Sequence, residues 1–484
     1  MKKTSFNEKS MQNFFEISKI PRGSGNEKAI SDFMVNWAKE RNLKVHQDLK
    51  NNIIIWKNAT EGYENAHGII LQGHLDMVCE KNEGKIHDFT KDPIEIKIID
   101  DMVYADDTTL GADNGLAIAY IMTILEDNSI KHPSIEAVLT VEEETGLGGA
   151  EFLDGSLLKN RIMINLDAGP EGNFVASSAG GNRTIISVEY EEEKEINVDE
   201  LDFWSVNIKG LNGGHSGIDI DKGRGNANKL VGRVLDYIRS KFDVRIVDIN
   251  GGMKMNAIPR EAIVEIAIMK SYSSELNDII ISVENIFKSE FFESEKEINI
   301  VLSKTSSTTN IMNIASTNKI VDIILLIPNG PQTMSQSIQG LVQSSNNLGV
   351  LYINDGKVIF ENAIRSSVET LKIEILNRIK SLAELTGCEI KIEADYPGWE
   401  YKQNSYIRNL FQGIWERMYN TEAKNYAIHA GLECGLFYGK LEGLDCIAAG
   451  PNIFDVHTPL EHFSISSSER FINFIIEVLE NIKG

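Results

Sequence analysis

Short apolar runs of strand length recur along the first part of the chain and alternate with segments of helical periodicity. EKAISDFMVNWAKERN has apolar residues at the helical spacing, and GLAIAYIMTILED is typical of a buried helix. This alternation predicts an α/β layer. The runs with the length and branching of strands are NIIIW, GIILQ, IEAVLTV and RIMINL.

Near residue 190 the character of the sequence changes. The charge-rich passage VEYEEEKEINVDELD is followed by DFWSVNIKG, which alternates like a half-exposed antiparallel strand. Similar strands then mix with helical stretches such as NANKLVGRVLDYIRSKF and polar loops such as QSSNNLG. Beyond YPGWEYKQNS, the helix and strand patterns of the first part of the chain return. We therefore predict a discontinuous α/β domain over residues 1–195 and 396–484 and an inserted domain over residues 196–395.

Length and charge exclude several classes of protein. At 484 residues the chain exceeds the size at which one core usually stops growing. The 71 acidic and 48 basic residues give a net charge of −23, which argues against nucleic acid or anionic lipid as a partner. No stretch approaches the ~20 apolar residues of a membrane span, so we expect a cytoplasmic protein. Four cysteines without CxxC spacing indicate a reducing compartment without structural disulfides.

Histidine or carboxylate side chains directly follow several predicted strands. His74 comes after GIILQ, Glu143 and Glu144 come after IEAVLTV, Asp167 comes after RIMINL, and His457 follows the short apolar stretch DCIAA. Functional groups of open α/β sheets collect just beyond the carboxyl ends of strands. We therefore expect these side chains to lie close together.

Asp113 lies in the glycine-broken loop DDTTLGADNG, which opens the buried helix. It could simply cap that helix. A free charge packed against the apolar helix would be costly, however, and the two carboxylate oxygens of Asp113 could bridge two cations.

The candidate ligands combine imidazole nitrogen with carboxylate oxygen and include no cysteine. Such a set suits zinc, cobalt or manganese in a catalytic site, whereas structural zinc usually has thiolate ligands. Calcium is the competing interpretation, but histidine is a poor ligand for it and no EF-hand spacing is present. Asp76 lies two residues after His74 and could accept the proton of its second ring nitrogen.

The motifs GHLDMV, GADNG, VEEETG, NLDAG, GGHSG and HTPLEH, in this order, resemble those of the M20 family of dinuclear zinc peptidases over essentially the whole chain. LNGGHSGIDI, KMNAIPRE, IRSS and IHAGLECG are similar to the subgroup that hydrolyses aminoacyl-histidine dipeptides. The resemblance implies a mixed-sheet α/β zinc-peptidase catalytic domain with an inserted α+β lid domain. It also implies a homodimer formed through the lid domain.

The resemblance implies roles at matching positions of the catalytic domain. Asp76 would orient His74, Glu143 would be the general base, and the Asp113–Asn114 bond matches a cis peptide of the family. Two zinc ions would be held by His74 and Asp167, by Glu144 and His457, and by Asp113 as the bridge.

In the inserted domain, His215 matches a histidine that polarises the scissile carbonyl. Asn256 and Arg365 match residues that hold the substrate backbone and carboxylate, and an arginine fork suits a carboxylate. Gly431, in the C-terminal part of the predicted catalytic domain, is interpreted as a point where the backbone approaches the substrate closely. The alternatives are that GGHSG is only a tight turn and that Arg365 is a surface ion-pair partner.

The implied activity is hydrolysis of dipeptides, including Xaa-His dipeptides, by water activated between two divalent ions, zinc or else cobalt or manganese. An amidohydrolase for N-acyl amino acids or tripeptides is the enzymatic alternative. A metal-binding protein without turnover is another, but it would not need Glu143 beside Glu144. Cys434 is not expected to act as a nucleophile with His429, because it has no cue for thiolate activation.

Two further residues have weaker predictions. Glu142 has no assigned role and is expected in a supporting or solvent-facing position. His462 is expected to pack or to lie at the surface, because the family pattern selects His457.

Overall fold

The computed structural model describes residues 5–194, 197–306, 308 and 310–483. They form two compact units: unit 1 comprises Met1–Ser177, Tyr401–Ala427 and Leu432–Gly484, and unit 2 comprises Ser178–Glu400 and Ile428–Gly431. The predicted boundary between residues 195 and 196 lies outside the described residues. Strand Gly180–Glu189, which precedes that boundary, belongs to unit 2.

The helices and strands follow in chain order. The α-helices are α1 (Phe6–Ile17), α2 (Lys28–Glu40), α3 (Ala112–Glu126), α4 (Gly148–Phe152), α5 (Ala227–Arg239), α6 (Ser273–Glu290), α7 (Ile314–Leu326), α8 (Glu369–Thr386), α9 (Tyr406–Tyr419), α10 (Glu433–Lys440) and α11 (Ile465–Asn481). The strands are β1 (Lys44–Gln47), β2 (Ile53–Lys57), β3 (Ile69–His74), β4 (Ile96–Ile99), β5 (Met102–Ala105), β6 (Ile135–Thr140), β7 (Ile162–Asn165), β8 (Asn173–Ser178), β9 (Gly180–Glu189), β10 (Leu201–Lys209), β11 (Gly214–His215), β12 (Arg245–Gly251), β13 (Ala257–Ile258), β14 (Ala262–Met269), β15 (Asn299–Lys304), β16 (Gly330–Met334), β17 (Val342–Asn354), β18 (Lys357–Ser366), β19 (Glu389–Tyr396), β20 (Lys424–Ile428), β21 (Asp445–Ala448), β22 (Ile453–Phe454) and β23 (His462–Ser464).

Unit 1 is built around a mixed sheet. Within the described residues its eight strands have the order β1-β2-β6-β3-β7-β21-β8-β20. The central strands β6, β3, β7 and β21 run parallel, whereas β1 and β2 are antiparallel. β3 and β6 are buried at every position, which explains why their sequences are apolar on both faces. The four parallel strands end at one edge of the sheet, where their carboxyl termini lie side by side.

Helices of unit 1 bury the faces of this sheet. The helix expected from GLAIAYIMTILED is α3, which is buried along almost its whole length. α1 begins with a capping box, in which Ser5 and Glu8 exchange side-chain and backbone hydrogen bonds. Between α9, α11 and β8, aromatic rings pack closely, with Phe174 stacked on Phe474 at 5.6 Å and edge-on to Phe411 at 5.2 Å.

A second sheet of unit 1 has the order β22-β23-β5-β4. β23 pairs antiparallel with β5, so that His462 lies opposite Tyr104 and Ser464 opposite Met102. This pairing aligns the loop between β22 and β23 with the segment that leads from β5 into α3. The C-terminal motif HTPLEH is thereby held beside the start of α3.

Unit 2 is an antiparallel sheet with helices α5 to α8. Within the described residues the sheet order is β15-β10-β14-β12-β17-β18-β9-β19, with β16 paired to β17. DFWSVNIKG is the antiparallel strand β10, as predicted. The mixed α/β sheet of unit 1 and the α+β architecture of unit 2 confirm the predicted fold class.

The prediction of a polar loop at QSSNNLG is wrong, because these residues lie in β17. The buried side chain of Asn347 donates to the carbonyls of Met255 and Ala257 at 2.8 Å each. Asn346 donates to Pro328 O at 2.7 Å. Long-range partners therefore compensate the burial of amides that a sequence pattern assigns to a loop.

Of the helices in the described residues, none has the length and apolar character needed to cross a membrane.

Candidate metal centre and catalytic site

The carboxyl ends of the parallel strands bring the candidate ligands of unit 1 to one edge of the sheet. His74 is the last residue of β3, Asp167 follows β7, and Asp113 lies in the first turn of α3. In the described part of the chain, three groups of side chains place their nitrogen or oxygen atoms within 4.8 Å of one another: His74, Asp113 and Asp167; Asp113, Glu144 and His457; and His74, Glu143 and Glu144.

Asp113 belongs to two of these groups, one through each carboxylate oxygen. Its Oδ1 lies 3.1 Å from Nε2 of His74, and its Oδ2 lies 3.3 Å from Nε2 of His457. Oε1 of Glu144 is 3.0 Å from the same nitrogen of His457. Oδ1 of Asp167 is 3.8 Å from Nε2 of His74. The five side chains thus form two donor sets that share one carboxylate.

Charge in the two donor sets favours a bound cation. Burial opposes protonation of His74, but the carboxylates of Asp167, Asp113 and Asp76 raise the pKa of this histidine well above its usual value. The nearby carboxylates of Asp113 and Glu144 raise the pKa of His457 to about 10. Both shifts show that the carboxylates of the donor sets favour a positive charge beside them, because carboxylates are costly to bury alone.

The chemistry of the donors fits divalent metal ions. Oε1 of Glu144 is buried and has no hydrogen bond of normal geometry within the described residues, although His457 is close. Imidazole and carboxylate donors without thiolates suit zinc, cobalt or manganese. Binding of such an ion requires neutral imidazole at His74 and His457.

Asp76 is 0 % exposed and connects the His74 strand to the segment with the glutamates. Its Oδ1 lies 3.3 Å from Nδ1 of His74 and accepts the backbone N–H of Glu143 at 3.1 Å. Its Oδ2 accepts from the backbone of Glu144 at 3.2 Å and from the hydroxyl of Ser24 at 2.8 Å. Burial opposes ionisation, but the contacts with His74, Ser24 and Glu143 lower the pKa of Asp76 to about 2. Asp76 is therefore an anion that can fix the His74 ring.

In contrast to Asp76, Glu143 has a raised pKa. Burial, together with the nearby carboxylates of Glu433, Glu144 and Asp113, raises the pKa of Glu143 to about 8, although His74 lowers it. A carboxyl whose proton affinity is raised in this way can accept and release a proton near neutral pH.

The Asp113–Asn114 peptide bond is cis, which confirms the bond predicted from the motif GADNG. The Asn114 side chain, which sequence reasoning did not single out, connects three parts of the site. Its Nδ2 donates to Leu166 O at 2.8 Å and to Asp167 Oδ1 at 3.0 Å, and its Oδ1 accepts the backbone N–H of His74 at 3.1 Å.

A second group of buried polar residues was also missed. Oε2 of Glu433 accepts hydrogen bonds from Thr140 at 2.8 Å and from Gln72, and Glu433 is 1 % exposed. Burial raises the pKa of Glu433 to about 7. These residues come from β3, β6 and the start of α10, and no local pattern links them.

Three residues of unit 1 that were not predicted to be ligands are held by contacts of other kinds. Glu142 forms an ion pair with Lys50 at 2.5 Å. His462 stacks on Tyr104, with ring centroids 4.6 Å apart. Burial, reinforced by Cys446, raises the pKa of the Cys434 thiol well above its usual value, which agrees with the expectation that it is not a nucleophile.

In unit 2, the substrate residues expected from the resemblance lie near one another. The backbone N–H of Ser216, next to His215, donates to Asn256 O at 2.9 Å, and Nε of Arg365 donates to the Ser216 hydroxyl at 3.4 Å. Burial and then the charge of Arg365 lower the pKa of His215. These contacts place His215 beside a buried cation and keep its imidazole neutral.

His429 and Gly431 belong to the same part of unit 2. Nε2 of His429 lies 2.8 Å from the Ser345 hydroxyl, and burial, followed by the charges of Arg365 and His215, lowers its pKa to about 3. A Cβ at Gly431 would lie 3.1 Å from the ring of Tyr396, so a side chain there would be crowded.

A cavity of about 420 Å³ opens beside Asp113 and Asp167 in unit 1. Apolar side chains form most of its wall, including Leu116, Ile453 and Phe454. An apolar pocket with a few convergent polar groups is the usual form of a small-molecule site.

The two histidines and three carboxylates gathered at this edge of a mixed α/β sheet, with Glu143 beside them, have the arrangement of an α/β metallohydrolase. The family model described as "Peptidase dimerisation domain" matches residues 206–295. The cytosol non-specific dipeptidase of Escherichia coli (strain K12) is 36% identical over 469 residues, which cover 97% of this chain and 96% of that protein.

Solved structures agree with this relationship. The aminoacylhistidine dipeptidase of Vibrio alginolyticus superposes with a TM-score of 0.93 at 36% identity, covering 98% of this chain and 96% of that chain. The aminopeptidase PepT of Bacillus cereus has a TM-score of 0.56 at 14% identity, covers 98% of each chain and shares the fold. The chain belongs to the M20 peptidase family, as the sequence motifs predict.

Proposed function

We propose that this chain is a metal-dependent dipeptidase that hydrolyses dipeptides, including those with C-terminal histidine. The observation that carries the proposal is the position of Asp113 between His74 and His457, with Glu143 in the same cluster. The names of the two relatives that are 36% identical, a non-specific dipeptidase and an aminoacylhistidine dipeptidase, support the substrate class.

We propose a role for each residue of the candidate centre. Divalent ions, when bound there, would supply a water with a pKa of about 7 and would polarise a carbonyl oxygen. Asp76 holds the ring of His74 in one orientation. Zinc, or else cobalt or manganese, would be held by His74 and Asp167, by Glu144 and His457, and by Asp113 between the two ions.

Glu143 is the proposed proton carrier. Its carboxylate takes a proton from the attacking water and passes it to the amine that leaves when the peptide bond breaks. The position of Glu143 in one cluster with His74 and Glu144 supports this role, because a general base has to lie within reach of the water whose proton it takes.

Substrate contacts are proposed for four residues of unit 2. Neutral His215 would donate to the scissile carbonyl oxygen, and Asn256 would bind the substrate backbone. Arg365 would bind the free carboxylate, for which its planar fork is suited. The tight surroundings of Gly431 fit a close approach of backbone to substrate.

The match to a peptidase dimerisation domain at residues 206–295 supports a homodimer formed through unit 2. The name of the Escherichia coli relative, a cytosol dipeptidase, supports a cytoplasmic location.

The direct test is to load the protein with zinc, cobalt or manganese, add alanyl-histidine, and measure free histidine. We expect release with at least one of these metals, and release about 10²–10⁴-fold slower with the Glu143→Gln variant. A panel of other dipeptides, a tripeptide and an N-acetyl amino acid tests the substrate class. Cleavage of only the tripeptide or the N-acetyl compound would replace the dipeptidase by an amidohydrolase. Binding of metal without cleavage of any compound would leave only a metal-binding protein.

A further inference from the structure

Glu461 is a buried carboxylate that lies beside the candidate metal centre and is outside its donor sets. The residue is 2 % exposed and comes four positions after His457, in the loop between β22 and β23. Its Oε2 accepts the backbone N–H groups of Leu110 at 2.9 Å and Gly111 at 3.0 Å. Its Oε1 accepts those of Ala112 at 2.8 Å and Asp113 at 3.2 Å. Both oxygens are therefore occupied by backbone donors.

These four donors are the segment that leads into α3 and carries Asp113. Gly111, at the cap position of α3, has φ +69° and offers no side-chain acceptor, so the first N–H groups of the helix lack a local partner. A carboxylate from the C-terminal part of the chain supplies that partner. Negative charge at a helix N-terminus is also favourable because of the helix dipole.

The loop that carries Glu461 contacts Asp113 in two ways. His457 lies 3.3 Å from the side-chain Oδ2 of Asp113, and Glu461 binds its backbone. One loop therefore contacts both the backbone and the side chain of Asp113, and these two contacts set its position relative to His457.

Arg22 fixes the same segment from the opposite direction. It is 2 % exposed, its Nη1 donates to the carbonyls of Leu75 and Asp76 at 3.1 Å each, and its Nη2 donates to Gly111 O. Leu75 and Asp76 directly follow the candidate ligand His74. The guanidinium also balances the buried charge of Glu461.

We propose that Glu461 is a positioning residue for the metal centre: by holding the backbone of residues 110–113, it sets the distance of Asp113 from His74 and His457 and thereby the affinity for divalent metal. The inference rests on the proposed metal centre, and it assigns to Glu461 neither a metal bond nor a proton transfer. Residues that orient metal ligands typically change metal affinity about 10–100-fold when they are replaced.

The test compares Glu461→Gln with a matched control, Glu136→Gln. Glu136 is also a buried carboxylate of unit 1, at 4 % exposure, and it accepts the backbone N–H groups of Lys159 and Asn160. It lies near the amino end of β6, whereas the candidate metal ligands lie beyond the carboxyl ends of the strands. Both substitutions put an amide nitrogen against backbone donors, so both should lower the melting temperature.

Metal affinity separates the two variants. Zinc binding is measured at 25 °C by competition with a chelating dye, with folding verified by circular dichroism. We expect Glu461→Gln to bind zinc about 10–100-fold more weakly than the wild type. Glu136→Gln should bind like the wild type. Equal affinity in Glu461→Gln and wild type, with both melting temperatures lowered, would show that Glu461 only stabilises the fold.

If Glu461→Gln does not fold, Glu461→Asp takes its place. The shorter carboxylate keeps the charge but reaches fewer of the four donors, so we again expect weaker zinc binding, and wild-type affinity in this variant overturns the proposal. Failure of the underlying metal centre is distinguishable, because the wild type itself would then bind no zinc. Failure of the dipeptidase proposal leaves these binding measurements unchanged.

Discussion

At the residue scale, three adjacent glutamates have three different surroundings. Glu142 pairs with Lys50, Glu143 has a raised pKa, and Glu144 lies 3.0 Å from His457. The backbone bends at this point, since Glu142 has a left-handed φ of +53°. Because the three side chains are chemically identical, the same substitution by glutamine at each position compares the effects of their surroundings.

Glu143→Gln should keep metal content near that of the wild type and lower kcat by about 10²–10⁴, because the amide cannot accept the proton of water. Metal content is measured by elemental analysis and kcat by release of histidine from alanyl-histidine. Glu142→Gln is the matched control and should change neither quantity.

Glu144→Gln should lower metal content itself, since an amide is a weaker donor to a divalent cation than a carboxylate. The measurement is elemental analysis after dialysis against metal-free buffer. If Glu143→Gln loses metal and Glu144→Gln retains it, the two proposed roles must be exchanged.

At the element scale, the short strand β22 contributes to two features of unit 1. Its pairing with β23 holds the loop that carries His457 and Glu461, and Ile453 and Phe454 also line the cavity of about 420 Å³ beside Asp113. A side chain of a bound dipeptide would have apolar surroundings in this cavity. We therefore expect β22 to contribute to substrate selection as well as to the candidate centre.

Ile453→Trp should narrow the cavity and lower kcat/KM for dipeptides with a large apolar residue about tenfold or more, relative to dipeptides of glycine and alanine. Leu460→Trp is the control, because Leu460 lies in the loop between β22 and β23, is 65 % exposed and does not line the cavity. Kinetics with leucine-containing and glycine-containing dipeptides measure the ratio. An equal loss for all dipeptides would mean that the cavity does not bind a substrate side chain.

At the scale of the whole molecule, the gathering of buried carboxylates predicts that metal stabilises the folded chain. An ion present at about 100 times its Kd adds about 2.7 kcal/mol to the free energy of unfolding. We expect a chelator to abolish dipeptide cleavage and to lower the melting temperature, with both restored by zinc, cobalt or manganese. The Glu144→Gln variant should show a smaller shift on chelation. An unchanged melting temperature in the chelated wild type would argue against the metal centre.

The proposed homodimer is also a property of the whole molecule. Light scattering after gel filtration should give a mass twice that of the 484-residue chain, at protein concentrations in the micromolar range. The mass of a single chain under these conditions would contradict the proposed assembly.

The sequence by itself determined the elements of unit 1 and the residues at the ends of its strands. Period and composition predict β3, β6, β7 and α3, because these elements are buried on all sides and need continuous apolar sequence. Parallel strands end at one edge of a sheet, so the motifs that follow them could be expected to meet before any coordinates were known. The family, too, follows from these motifs.

Only the tertiary structure decided which distant polar groups support that edge. Glu461 binds Leu110 across 351 positions of sequence, and Arg22 binds Leu75 across 53. The asparagines of QSSNNLG are buried in a strand through partners elsewhere in unit 2. Local sequence patterns indicate which residues of one segment form an apolar face that will be buried. A buried charge or amide is tolerated only because of partners that folding brings to it, and no local pattern encodes those partners.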